Sequence, residues 1–382
     1  MPGAAPTGWK NTKLAELLTY EQPGKYLVTS SQQLQVGRVP VLTAGKTFVL
    51  GYTNDSHGVY TNHPVIIFDD FTTASKFVDF DFKAKSSAMK ILSARPGVAN
   101  IRFVFERMQL IDFPLGDHKR YWISEYSNLP VEVPDIADQN ALAEVISNLA
   151  GQVASLERLV AKKQAIKQGM MQQLFTGPAD WTDTAPLGSI TSWLSGGTPN
   201  RSNLSYWSGT IPWISATTLR RLEVATSDQC VTPAAVRAGS KMAPLGSTLL
   251  LVRGSALHSE IRASLVTGPV CFNQDVKALV PSHRVVPKFL TYSIHGNTHK
   301  LLRLVTSAGN TAGVLDTQVG KRFEIWVPSR SEQQRIVTVL DDVSNDIDML
   351  TARLSKAKAV KQGIMQELLT GRTRLPVKET VS

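Results

Sequence analysis

One thirteen-residue string occurs twice in this chain. AIKQGMMQQLFTG runs from Ala165 to Gly177 and AVKQGIMQELLTG from Ala359 to Gly371; nine positions are identical, and the other four exchange Ile/Val, Met/Ile, Gln/Glu and Phe/Leu. The offset is 194 residues, about half of the 382-residue chain, so any fold must accommodate a duplicated unit.

The string closes a longer repeat. Proline is absent between Asp135 and Phe175, and Leu142, Ile146, Leu149, Val153, Leu156 and Val160 recur in alternating steps of four and three. That spacing predicts one long helix with an apolar seam for a partner helix, about 60 Å long at 1.5 Å per residue. Gly177 and Pro178 terminate it. A second helix is predicted over Ser331 to Leu369, with the seam Ile336, Leu340, Val343, Ile347, Leu350 and Leu354, each 194 residues beyond its counterpart. Two helices carrying the same seam are expected to pair.

The stretches before each helix read as mixed α/β or α+β globular domains. Short β-like runs at Val39 to Leu42, Thr47 to Leu50, Val65 to Phe68 and Ile101 to Phe105 are punctuated by Gly, Asn and Pro in the first; Ser247 to Arg253 and Arg322 to Val327 play that part in the second. Trp181 follows Trp9 and Pro212 follows Pro40 by 172 residues, Lys277 follows Lys90 by 187, and Pro328 follows Pro134 by 194. The offset grows in two steps, so the domains share a framework and differ in loops. The expected division is 1–134 and 178–328 for the globular domains, 135–177 and 329–371 for the helical regions, and 372–382 for a tail.

Charge separates these parts. The chain carries a formal +10, which favours a polyanionic partner. Residues 181–328 hold fourteen basic and seven acidic side chains, residues 10–134 fourteen and twelve, and each helical region has equal numbers of both signs. The helices are therefore not the face for a polyanion. Cys230 and Cys271, the two cysteines, lack a CxxC spacing, which argues against a disulfide framework or a zinc site and fits a reducing cytoplasm. No apolar run reaches the length of a membrane span.

Several fragments imitate catalytic motifs. Gly45, Lys46 and Thr47 end like a phosphate-binding loop, but Pro40 stands where its first glycine belongs. Asp69, Asp70, Asp81 and Lys83 mimic the carboxylates and lysine of a metal-dependent nuclease. His295 and His299 are four apart, as helical zinc ligands are, but lack the intervening glutamate, and Gly296 weakens the helix. No NPPF or DPPY tetrapeptide of an amino-methyltransferase occurs. No catalytic site, metal or cofactor is expected. A nuclease or ATPase with a helical dimerisation arm is the rival reading; a purely protein-binding scaffold leaves the duplicated, divergent domains unexplained.

Together these strings resemble the specificity subunits of type I restriction-modification systems. KQGMMQQLFTG and KQGIMQELLTGRTRL are similar to the endings of that family's two conserved helical regions. GGTPNRSNLSYWSGTIPWISATTL, with LLLVRGS and NQDVKAL, resembles a target recognition domain; YEQPGKYLV, PVLTAGKTFVLGYTN and PVIIFDDFTTASKFVDFDFKAKSSAMKIL resemble another subclass of it. The resemblance implies a non-catalytic subunit with two target recognition domains in tandem, separated by two long antiparallel helices. Each domain would read half of a bipartite, asymmetric site on double-stranded DNA. The helices would set the spacing and dock two modification subunits that methylate adenine N6, joined by restriction subunits with translocase and nuclease activity. Base readout calls for Arg or Lys against guanine and Asn or Gln against adenine, with further contacts to phosphate. The candidates in the first domain are Lys46, Tyr52, Asn54, Thr72, Thr73, Lys76, Lys85, His118, Lys119 and Arg120. Those in the second are Ser215, Thr217, Thr218, Arg220, Arg221, Arg253, Ser255, Asn310 and Thr311.

Overall fold

The computed structural model describes residues 8–30, 32–45, 47–115, 120–176, 183–308 and 312–373. The chain divides into two compact units, one formed by Met1–Leu156 with Arg353–Ser382 and the other by Glu157–Ala352. Each contains a mixed α/β globular part and a portion of each of two long helices, Ile136–Thr176 and Arg330–Leu369. The helix boundaries agree with the heptad reading to within a residue. Leu142, Ile146, Val160, Ile336, Leu340 and Ile347 are buried and the remaining six seam positions half-buried, so the whole seam is covered.

In the first unit, strand Val65–Asp69 lies between Ser75–Val78 and Met89–Ala94, with Leu18–Glu21 beyond, all antiparallel. Side chains alternate across a strand. Ile66 and Phe68 therefore enter one core with Phe103, Trp122 and Leu142, while Val65 and Ile67 enter another with Tyr60, Phe82 and Ile91. A three-stranded sheet centres on Val39–Leu42, flanked by Val49–Thr53 and Lys83–Ala84. The strand expected at Thr47–Leu50 thus begins two residues later. Gly51 in it permits a close approach, since a Cβ there would lie 2.7 Å from the Leu34 carbonyl oxygen.

The strand expected at Ile101–Phe105 is a helix, Ile101–Met108. Its β-branched and aromatic content suggests a strand, but Asn100 Oδ1 caps the N–H groups of Arg102 (3.0 Å) and Phe103 (3.2 Å). Arg102 also pairs with Glu106 one turn on, at 2.6 Å.

The second unit is built on a five-stranded sheet in the order Thr191–Ser195, Val276–Pro281, Thr248–Leu251, Ala263–Val266, Glu223–Val224. Helix Pro287–Gly296 packs on it through Phe289, Leu290 and Tyr292, all buried. Arg253–Gly254 forms a separate strand, beside Ala312–Val314 and Thr306–Ala308. The run expected at Arg322–Val327 narrows to Glu324–Trp326, because Arg322 ends a short helix.

The duplicated string has a packing role in each unit. Met171, Leu174 and Phe175, at the end of the first long helix, join the core that contains Ile336 and Leu340 from the start of the second. In the first unit, Met365, Leu368 and Leu369, 194 positions further on, join the core that holds Leu142 and Ile146. The start of one helix is thus packed with the end of the other. Arg107 donates to the carbonyl of Leu369 at 2.5 Å, satisfying one of the orphan acceptors at that helix terminus.

A second repeated device sits at the helix starts. Gln333 is fully buried; its Oε1 accepts the Val286 N–H (2.8 Å) and its Nε2 donates to the carbonyls of Arg284 (3.0 Å) and Pro328 (2.8 Å). Gln139, 194 positions earlier and also buried, accepts the Asn100 N–H (3.0 Å) and donates to Pro134 (3.0 Å) and Val98 (3.3 Å). Each glutamine clamps a backbone turn of its globular part to the first turn of a long helix.

Candidate nucleic-acid interface

The described candidates in the first domain fall into two groups. Thr72 and Thr73 form the tip of the hairpin joining Val65–Asp69 to Ser75–Val78, and Lys76 stands exposed beside them. Asp69 Oδ1 shapes the tip by accepting the N–H groups of Phe71 (2.9 Å) and Thr72 (3.2 Å), and Thr73 adopts a left-handed φ of 56°. The Arg120 guanidinium lies 6.0 Å from the centre of the half-exposed Phe71 ring, bringing a cation to the same tip. Tyr52 lies in the three-stranded sheet, and Asn54 and Lys85 directly follow two of its strands. Tyr52 exchanges backbone hydrogen bonds with Leu34, Asn54 Oδ1 accepts the Arg38 N–H at 3.1 Å, and Lys85 donates to the Ser30 carbonyl at 3.2 Å. Lys46, His118 and Lys119 lie outside the described residues.

In the second domain, Ser215, Thr217 and Thr218 follow strand Ile211–Ile214 and bond to one another. Ser215 Oγ is 2.9 Å from Thr217 Oγ1, and Thr218 Oγ1 accepts the Ser215 N–H at 3.3 Å. Arg253 and Ser255 are exposed on and beside the short strand that pairs with Ala312–Val314. Asn310 and Thr311, which connect the other two strands of that sheet, lie outside the described residues. Arg220 and Arg221 are placed differently. They line a cleft whose other wall includes Gln164, Lys167 and Gln168 of the first long helix.

The catalytic imitations are taken apart by their hydrogen bonds. Asp70 is buried against Lys90 at 3.1 Å, and its Oδ1 accepts the Trp122 N–H. Lys83, 5% exposed, donates to Asp55 (3.1 Å) and the His57 carbonyl (2.9 Å), while Asp81 faces His63. Asp69 is occupied by the hairpin tip. Asp69, Asp70 and Lys83 hold three separate pieces of backbone and Asp81 pairs with a side chain, and no cluster of three metal-ligating side chains occurs among the described residues. His295 is committed to the Ala263 carbonyl at 2.8 Å, and desolvation holds its pKa below the ordinary histidine value. No helix among the described residues is long and apolar enough to cross a membrane.

A family model described as the type I restriction modification DNA specificity domain matches residues 178–359. Over 383 aligned residues the chain is 36% identical to the specificity subunit of a type I restriction enzyme from Escherichia coli, spanning 97% of this chain and 95% of that one. The chain belongs to the type I restriction-modification specificity subunits. A second specificity subunit, from Methanocaldococcus jannaschii, is 30% identical over 167 residues, 43% of this chain and 38% of that one. Two solved structures share the fold. The S subunit of a type I system from M. genitalium has a TM-score of 0.61 at 13% identity, covering 96% of this chain and 97% of that one. A chain from a structure of type I complex assembly and conformational transition has 0.58 at 17%, covering 97% and 100%.

Sequence reasoning about this specificity subunit missed three groups. The clamps Gln139 and Gln333 are not among the residues the sequence singles out; their identity at matched places in the repeat is the signal that marks them. Lys83 reads as the lysine of a nuclease-like set and Lys90 as a point of the repeat; that both are buried emerges only from the fold. Arg201, within the string GGTPNRSNLSYW, rests over the rings of Trp207 (4.9 Å) and Trp213 (5.2 Å), a spacing that only the folded loop creates.

Proposed function

We propose that the two globular domains of this specificity subunit each read one half of a bipartite, asymmetric site on double-stranded DNA. In this reading Thr72, Thr73, Lys76 and Arg120 form one contact group in the first domain. Tyr52, Asn54 and Lys85 form another; Ser215, Thr217, Thr218, Arg253 and Ser255 serve the second domain. The long helices set the spacing between half-sites and dock two modification subunits, with restriction subunits joining the assembly. The chain itself performs no chemistry; adenine-N6 methylation and ATP-dependent cleavage belong to its partners.

The observation that carries this reading is the repeated clamp. Gln139 and Gln333 tie unlike domains to like helices through the same three-bond pattern, which is what a device holding two different readers in one frame requires. Two readers in a fixed frame demand half-sites at fixed spacing.

The test is methylation of a randomised duplex library by the complex reconstituted with modification subunits. Arg253→Ala is expected to relax or abolish recognition at one half-site and leave the other intact, a loss of about 1–3 kcal/mol if the arginine meets a guanine edge. Unchanged methylation at both half-sites would remove Arg253 from the interface. Magnesium-dependent cleavage or ATP turnover by the purified chain alone would favour the enzymatic alternative.

A further inference from the structure

The cleft that takes up Arg220 and Arg221 lies wholly within the second unit and has a volume of about 680 Å³. Its floor is apolar, with Met171, Leu222, Tyr292 and Ile347 among its residues, and glutamine amides from the long helix stand along one side. Lys167, Arg220 and Arg221 bring three positive charges to it. Among the described residues no aspartate or glutamate lines the cleft, and none of the three cations forms an ion pair.

Lys167 is the informative member. It is half-buried, its ammonium lies 5.9 Å from the centre of the Tyr292 ring, and burial holds its pKa below the ordinary lysine value. Asp348 and Asp341, on the second long helix, attract it from a distance without bonding it, and Asp341 is already bonded by Lys288 (2.9 Å) and by the Tyr292 hydroxyl (2.7 Å). A cation partly stripped of water and left without a bonded anion carries a desolvation cost that an incoming anion would offset.

We propose that this cleft binds a small organic phosphate of mononucleotide size, with the phosphate held among Lys167, Arg220 and Arg221 and the organic part against the apolar floor and the glutamine amides. A bare inorganic ion would leave the floor and the amides unused. The site takes Arg220 and Arg221, which the sequence reading offers to DNA, and leaves the half-site reading to the other groups of that interface, so the two stand or fall separately.

The experiment is calorimetric titration of the full chain with each of the four nucleoside 5′-monophosphates, with inorganic phosphate, and with adenosine. Saturable binding of at least one monophosphate is expected. Inorganic phosphate and adenosine should each bind about tenfold or more weaker, and Lys167→Gln and Arg221→Gln should each weaken the monophosphate by about tenfold, the scale of one charge-assisted hydrogen bond. Lys167→Arg should retain binding, and unchanged melting temperatures would show that the variants are folded. Absence of saturable binding at millimolar monophosphate, or binding indifferent to both substitutions, overturns the proposal. So does displacement of the nucleotide by a duplex whose own binding falls equally in Lys167→Gln, since the cations would then be meeting DNA backbone phosphate.

Discussion

Replacing Gln333 by leucine tests whether the clamps fix the recognition domains to the helices. Leucine fits the volume but offers no polar atom, so the Val286 N–H and the carbonyls of Arg284 and Pro328 lose their partners at a fully buried site. At about 1 kcal/mol for each bond the loss is about 3 kcal/mol, and more if the orphaned groups stay dry. For a unit of this size that lowers the melting temperature by about 6–12 °C. Gln139→Leu removes three bonds as well, but the one to Val98 is long at 3.3 Å, so a somewhat smaller loss is expected. Because the two residues lie in different compact units, their effects should add to within about 0.5 kcal/mol. Thermal and urea unfolding of the two single variants and the double variant measure this directly. Methylation by the reconstituted complex should then show Gln333→Leu loosening the half-site read by the second domain alone. Losses below about 0.5 kcal/mol would mean that water or neighbouring groups satisfy the turns, and the clamp would be incidental.

Three further outcomes follow from the packing. Asp70→Ala strands Lys90 as an unpaired buried cation and should destabilise the first unit by about 3–5 kcal/mol in urea unfolding; a loss under about 1 kcal/mol would mean that the lysine escapes to solvent. Gly296→Ala places a Cβ 2.5 Å from the Phe175 ring, so about 1–3 kcal/mol of overpacking is expected in thermal melts, and an unchanged midpoint would show that the end of the first long helix is loosely seated. Inserting one heptad in each long helix, between Ile146 and Val160 and between Leu340 and Leu354, adds about 10 Å of helix. Sequencing of methylated sites should report a spacer longer by about three base pairs or no modification at all; full activity at the old spacing would show that helix length does not set it.

The sequence made the long helices legible because a heptad seam is periodic over many turns and the same seam recurs 194 residues later. Short elements were harder. IRFVF has the composition of a strand, and only the bonds of Asn100 and Arg102 make it a helix. Thr72, Thr73, Lys76 and Arg120 stand in or beside loops of the sequence; the hairpin places Thr72 and Thr73 at its tip with Lys76 beside them, and the Arg120–Phe71 contact brings in the fourth. Arg220 and Arg221 read as candidates for DNA contact beside a hydroxyl-rich turn, and nothing local in the chain foretells that the first long helix walls in the space before them. Contacts between distant segments, such as Lys83 with Asp55 or Gln139 with Asn100, carry no periodic trace and emerge only from the fold.

The two units also differ in how the chain supplies them. Glu157–Ala352 is one uninterrupted stretch, whereas the other unit joins Met1–Leu156 to Arg353–Ser382. Domains generally fold as they emerge from the ribosome, the N-terminal one first. Here that order is reversed for the finished core: Leu142 and Ile146 wait for Leu368 and Leu369, which are made more than two hundred residues later. Until then the face of the first long helix that carries Leu142 and Ile146 lacks part of its cover.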